Sequence, residues 1–345
     1  MKECLNYKKI DSEDIQCRNC SHFCRIKDGY VGICGIRKNI GGKLNLLAYG
    51  KAIALHIDSI EKKPLFHFLP GSYAYSFGSF GCNFRCDNCQ NYDISQMFDY
   101  KGREREYHKF DWSFEISPEE IVKEAVKNNC KSIAYTYNEP TVFLEYALDT
   151  MKLAKEKGLK NVWVSNGYMS REALDSILPW LDAINIDIKS YDDNFYKTNC
   201  GARLEPVLEN CEYLVEKGVW LEITTLVIPG LSDDEKMLEG VAGFIKRELG
   251  DFVPWHVNVF SAIISWKLQH LGDTPAKTIK KAREIGRKEG LKYVYAGNVR
   301  DGDLKNTQCP DCQKNFIKRI AYEVSECPRS GKCEYCGRKI EGVFS

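Results

Sequence analysis

A chain of 345 residues is long enough for one barrel-sized domain with small attachments at its ends. Lys+Arg 49 against Asp+Glu 48 leaves a formal charge of +1. This removes the simplest electrostatic case for nucleic acid or an anionic membrane as partner; a local basic patch still leaves nucleic acid open. No apolar run approaches the roughly 18 to 20 residues that cross a bilayer, and the start MKECLNYKKID lacks the apolar core of a signal peptide, so a cytoplasmic protein without a membrane partner is expected. Sixteen cysteines in a chain with a full apolar complement, many of them in C-x2-C pairs, point to metal binding in a reducing compartment rather than to disulfides.

The first group, CRNCSHFCRIKDGYVGIC, supplies Cys17, Cys20, Cys24 and Cys34 at C-x2-C-x3-C-x9-C spacing. Four ligands suggest a closed structural site, with zinc expected ahead of a second iron–sulfur cluster and His22 as a substitute ligand. A second cluster would make the module an electron relay. IEKKPLFHFLPG (60–71) follows. Its lysines and aromatics read either as a lid near the barrel mouth or as a packed segment leading into the first strand. Residues 1–71 are therefore taken as a Cys-rich metal-binding module plus this segment.

From about 72 to 300, strand-like and helix-like segments alternate. SYAYSFGSF (72–80), SIAYTY (132–137), NVWVS (161–165), AINIDIK (183–189), VWLEITTLVI (219–228), WHVNVF (255–260) and YVYA (293–296) read as buried strands. Between them, Ser117-Pro118-Glu119-Glu120 carries a capping box, and Gly158, Gly218 and Gly290 stand where helices should stop. Repeated βα units predict a parallel sheet. Cys82, Asn138-Glu139, Ser165-Asn166, Asp187-Lys189, Ile228-Pro229 and His256 are placed at or after successive strand ends, which favours a barrel-like layout with its chemistry on one face. Neither a G-x-G-x-x-G after the first strand nor a P-loop is present.

Within GSFGCNFRCDNCQNYDISQ, Cys82, Cys86 and Cys89 form C-x3-C-x2-C with no fourth cysteine. Three thiolates can hold three irons of a four-iron four-sulfur cluster, leaving one iron for a chelating ligand. Here the sequence resembles the radical S-adenosylmethionine (SAM) superfamily, whose signature is this spacing after the first barrel strand. The resemblance implies a partial TIM barrel of about six βα units. It also implies a 4Fe-4S cluster on Cys82, Cys86 and Cys89, with SAM on the open iron. Reductive cleavage would yield a 5′-deoxyadenosyl radical that takes hydrogen from a substrate.

YTYNEP places Asn138 and Glu139 where related enzymes receive the ammonium of the methionine half. INIDIKS resembles the D-x-K of pyruvate formate-lyase activating enzymes, implying Asp187 near the ribose and Lys189 near the carboxylate. Asn166-Gly167 matches a further position of that group. His256 would contact the ribose, and the turn Val227 to Gly230, with Ile228, would shelve the adenine. Many relatives carry an aromatic where Asn88 stands, and a His-Pro where FSAIISWKL runs.

At the end of the chain, Cys309-Pro-Asp-Cys312 and Cys333-Glu-Tyr-Cys336 fit a zinc ribbon over residues 301–345. Both ends together with IEKKPLFHFLPG, GCNFRCDNCQN and NTQCPDC resemble the AmmeMemoRadiSam-system radical enzymes, relatives of the pyruvate formate-lyase activases that are often encoded beside a Memo-like protein. The resemblance implies an oxygen-sensitive enzyme with a low-potential electron donor, ferredoxin or flavodoxin, and an unidentified substrate, with a Memo-like protein as a candidate partner. Alternatives are an activase making a glycyl radical on a partner protein, and a non-catalytic zinc-binding interaction scaffold.

Overall fold

The computed structural model describes residues 1–11, 13–96, 113–299 and 302–345. Eight strands lie side by side in one sheet: β1 (Ala54–Ser59), β2 (Tyr73–Gly78), β3 (Ser132–Tyr135), β4 (Lys160–Ser165), β5 (Ala183–Asp187), β6 (Trp220–Val227), β7 (Trp255–Val259) and β8 (Val294–Gly297). Each pairs with its neighbours in sequence. The β1–β2 pair is antiparallel and all the others are parallel. The seven parallel strands coincide with the seven expected segments, with ends shifted by at most two residues. Because their side chains are buried on both faces, their apolar runs are nearly continuous, as parallel strands require.

Helices α1 (Pro118–Lys127), α2 (Leu144–Glu156), α3 (Arg171–Ile177), α4 (Glu205–Glu216), α5 (Glu235–Phe244) and α6 (Ala276–Lys288) fill the crossovers, giving six βα units and a final strand. The Ser117 hydroxyl accepts from Glu120 N while the Glu120 carboxylate accepts from Ser117 N, completing the capping box. Ser170 and Asp234 cap α3 and α5 by the side-chain bond alone, accepting from Ala173 N and Met237 N. Gly158 and Gly218 follow α2 and α4 at φ +73°, a conformation in which a side chain would strain the stop.

The sheet is curved. His67 bonds to Tyr295 of β8, while Leu65 and Phe68 of the same short segment pack in one cluster with Ala74 of β2. In a flat sheet those strands would lie about 29 Å apart. The curve remains open, because β1 and β8 are the two edges.

Two expectations change. Residues 54–59 form β1, so the barrel begins before residue 71. Residues 60–71 are no lid: they run from the end of β1 to the start of β2, beneath the N-terminal ends of the parallel strands, and Ile60, Leu65, Phe66, His67 and Phe68 are buried there. Their apolar and hydrogen-bonding groups close the barrel floor. The C-terminal segment seals the floor from outside. Leu69 N donates to Val343 O, Val343 N to His67 O, and Phe66 shares a cluster with Tyr293, Cys309, Phe316 and Ile340. The N-terminal module instead contacts the opposite rim, through Ser21 N to Tyr168 O, His22 Nε2 to Asn83 O and Arg85 to Ile33 O.

Candidate active site

At the end of β2, Asn138 holds the turn into the cysteine loop. Its Oδ1 accepts from Ser79 N at 3.0 Å and its Nδ2 donates to Phe80 O at 3.0 Å and Gly81 O at 2.8 Å. Gly81 adopts φ +72°, and a Cβ there would collide with the carbonyl oxygen of Cys34. Only glycine lets the loop lie this close to the N-terminal module.

Backbone bonds clamp the loop on two sides. Arg85 N donates to Cys200 O and Asp87 N to Asn199 O, while Trp266 N donates to Cys89 O and Lys267 N to Asp87 O. The segment FSAIISWKL is thus the second jaw of the clamp. Asn88, buried, accepts from Asn199 Nδ2 at 2.8 Å, which ties its side chain into the first. Phe84 N donates to Cys82 Sγ at 3.3 Å, and Cys89 Sγ stands 3.2 Å from Ser95 Oγ. Cys86 is buried in contact with Cys200, a thiol for which the sequence offered no spacing signal.

Behind the loop, Glu139 joins two strand ends. Its Oε1 accepts from Thr141 N, Thr141 Oγ1 and Ser165 Oγ, and its Oε2 from Asn166 N at 2.7 Å. Burial raises its pKa, a shift these bonds oppose. Through the bond to its Oε2, Glu139 positions Asn166. Asn166 Nδ2 in turn donates to Asn83 Oδ1 at 2.8 Å, beside Cys82. Asn138 thus holds the cysteine loop and Glu139 holds the next strand end.

Asp187 and Lys189 lie together after β5, Nζ to Oδ2 2.7 Å. Burial works against the ammonium charge, yet the Asp187 carboxylate and the Cys86 thiol hold the Lys189 pKa above its usual value. The pair therefore flanks the cysteine loop. Ile228 follows β6 with its side chain buried, in a turn closed by Leu231 N and Ser232 N donating to its carbonyl.

His256 is placed differently from its expectation. It is the second residue of β7, not a strand end, and 1% exposed. Its Nε2 lies 2.7 Å from Glu222 Oε2, and its ring packs on Phe66 and Tyr295 of the floor. Glu222 also accepts from Phe66 N, His67 N and Trp220 Nε1. Through Glu222, Phe66 and Tyr295, His256 joins the floor network.

Spacing of the thiols tests what each group fits. Cys309, Cys312, Cys333 and Cys336 have their ligand atoms all within 4.8 Å of one another, the closeness a single tetrahedral ion needs, and among the described residues no other such set of three or more is found. Cys82, Cys86 and Cys89 share a loop without converging on a point. They fit a cluster, where each thiolate takes its own iron.

Residues 77–239 match the radical SAM superfamily, and a protein of Methanocaldococcus jannaschii without assigned activity is 42% identical over 347 residues, covering the whole of both chains. Residues 77–239 form a radical SAM domain. The chain is accordingly an enzyme, and the family implies a 4Fe-4S cluster and SAM. The pyruvate formate-lyase 1-activating enzyme of Escherichia coli K12 is 25% identical over 189 residues, 51% of this chain and 71% of that one. A putative glycyl-radical enzyme activating enzyme of M. jannaschii is 26% identical over 180 residues, 49% and 61%. Among solved structures, a radical SAM methyltransferase from Sphaerobacter thermophilus superposes with TM-score 0.49 at 12% identity, covering 75% of this chain and 80% of that chain. Among the described residues no helix is long and apolar enough to cross a membrane.

Proposed function

We propose that Cys82, Cys86 and Cys89 hold a 4Fe-4S cluster by three corners and that SAM chelates the fourth. The observation that carries this is the C-x3-C-x2-C trio in the loop after β2, inside the stretch 77–239 that matches the radical SAM superfamily. When bound, the pair supplies a 5′-deoxyadenosyl radical for hydrogen abstraction. This chain's own residues orient and shield it. Asn138 and the backbone bonds from Asn199, Cys200, Trp266 and Lys267 fix the loop. The ammonium of Lys189, kept charged by Asp187, would hold the carboxylate of SAM, while Asp187 would serve the ribose and Ile228 the adenine. Asn166, held by Glu139, presents its amide beside Cys82.

A protein substrate is the version favoured by the relatives: the two named activating enzymes align over about half of this chain. On that version a glycine of a partner protein loses hydrogen, SAM is consumed once per activation, and the electron comes from ferredoxin or flavodoxin. A Memo-like protein is the first partner to test, in a cytoplasmic, oxygen-sensitive system. The ribbon cysteines hold zinc. Against a purely structural zinc scaffold stands the match of residues 77–239 to the radical SAM superfamily.

Anaerobic reconstitution followed by strong reduction is expected to release 5′-deoxyadenosine and methionine, and Cys82→Ala is expected to abolish both. Release by Cys82→Ala at the wild-type rate, or none from the wild type, overturns the reading. Lys189→Met should weaken SAM binding by about tenfold, about 1.4 kcal/mol, with the iron content unchanged. Unaltered affinity would remove Lys189 from the site.

A further inference from the structure

We infer that Cys17, Cys20, Cys24 and Cys34 hold a second iron–sulfur cluster, of the four-iron four-sulfur class, set directly behind the cysteine loop. The four side chains line one small cavity, together with Ile26, Ile33 and Val142. All four are free thiols. They surround that cavity but are not among the sets close enough to share one ion, whereas the four ribbon thiols, all within 4.8 Å of one another, are. One zinc ion binds its thiolates at about 2.3 Å and pulls them into a tight tetrahedron. A cubane carries them on four separate irons and keeps them apart.

Two further groups suit a cluster in that cavity. The Arg37 guanidinium borders it, 1% exposed, and offers positive charge where thiolates gather; its hydrogen bonds run to Glu145, at 3.2 and 2.6 Å, and to Val142 O. Asn83 also borders it, equally buried, and its Nδ2 has no hydrogen-bond partner. A buried amide N–H without an acceptor is costly, and a cluster sulfur is the acceptor this cavity would supply.

Asn83 also gives the site its role. It is the residue next to Cys82, and its Oδ1 takes the bond from Asn166. Gly81, on the other side of Cys82, lies against the Cys34 carbonyl. The two cysteine groups are thus separated by little more than residues 81–83. A cluster in the N-terminal module would take one electron from a reduced ferredoxin-class donor, which is oxidised by that electron, and pass it to the loop cluster, returning to its resting state. The relay role rests on the radical reading of the loop; the existence of the second cluster does not.

The test is metal content in the variant Cys82→Ala/Cys86→Ala/Cys89→Ala, reconstituted without air. It should retain about four iron and four sulfide per chain and a reducible electron paramagnetic resonance signal. Adding Cys20→Ser should remove them. A folded triple variant without iron and with about two zinc per chain overturns the second cluster. If the triple variant does not fold, Cys17→Ser/Cys20→Ser with the loop intact decides instead: iron should fall from about eight to about four. Unchanged iron overturns the assignment. For the relay, Cys20→Ser should slow ferredoxin-driven deoxyadenosine release at least tenfold more than dithionite-driven release; equal slowing overturns the relay. A wild type with both clusters that never releases deoxyadenosine sinks the radical reading and leaves the second cluster standing.

Discussion

The two terminal cysteine groups share C-x2-C spacing and differ in nearly everything else. At the C-terminus each knuckle is a tight turn, with Gln313 N donating to Cys309 O and Gly337 N to Cys333 O. The Sγ atoms of Cys309 and Cys336 stand 3.5 Å apart, and those of Cys312 and Cys333 3.6 Å. A short antiparallel sheet (Thr307–Gln308, Asn315–Ile320, Glu323–Glu326) carries this group against the barrel floor. At the N-terminus the cysteines come from short strands and turns, surround a cavity and face the reaction loop. The contrast shows that a motif's spacing names its ligands, while the packing around it decides how far apart they stand. Distance to the chemistry then separates a structural staple from a participant.

The largest stability effect expected from this contrast is at the N-terminal side. Arg37 and Glu145 are 2% and 1% exposed and form a paired double hydrogen bond. Arg37→Ala leaves a carboxylate buried without its partner and should cost about 3–5 kcal/mol in denaturant unfolding. The double variant Arg37→Met/Glu145→Leu should recover much of that, and failure to do so would mean the pair's value lies in its neighbours.

On the floor side the sensitivity is to acid. Arg319 donates to Thr307 Oγ1, which lies 2.8 Å from the Tyr295 hydroxyl; that hydroxyl lies 2.6 Å from His67 Nε2, and His67 Nδ1 lies 2.6 Å from Glu341 O. With Nδ1–H donating to the carbonyl, Nε2 must stay unprotonated to accept from Tyr295. Burial pushes the His67 pKa down from 6.5 to about 4. Between those values the unfolded chain binds the extra proton, so stability falls as pH drops through that window, by about 3 kcal/mol in all. His67→Gln should flatten this part of the pH–stability curve; an unaltered slope would place the titration elsewhere.

A smaller effect is expected at the junction of module and loop. Gly81→Ala places a methyl against Cys34 O at a positive φ and should cost about 1–3 kcal/mol. It should also alter the spectroscopic signature of the loop cluster while leaving ribbon zinc in place. A loss confined to the ribbon would contradict the junction.

Much of the barrel is legible in the sequence because parallel strands buried on both faces read as apolar runs, and because helix ends such as Ser117 and Gly158 carry local signals. β1 is not. Ala54–Ser59 lies at a sheet edge with His56 and Ile57 exposed, so neither an apolar run nor a clean alternation marks it. The floor segment was open to two readings because lysines and aromatics suit a mouth as well as a plug, until Asp58 is seen to pair with Lys63 at 2.7 Å. In the site, Cys82, Cys86 and Cys89 could be read from a few adjacent residues. The bonds joining Glu139 to Ser165 and Asn166, Asn83 to Asn166, and Cys86 to Cys200 could not, since each spans many residues and exists only once the strand ends meet. His256 shows the converse error: an apparent strand end that register places one row inward, on Thr224 and Tyr295.

The closed floor has a consequence for traffic. With Leu65 and Phe68 packed at the base of the curved sheet and residues 67–69 stitched to Val343, the described residues close the floor. Reactant and product therefore reach the cysteine loop from the side away from the C-terminal segment, and that segment can change without touching their route.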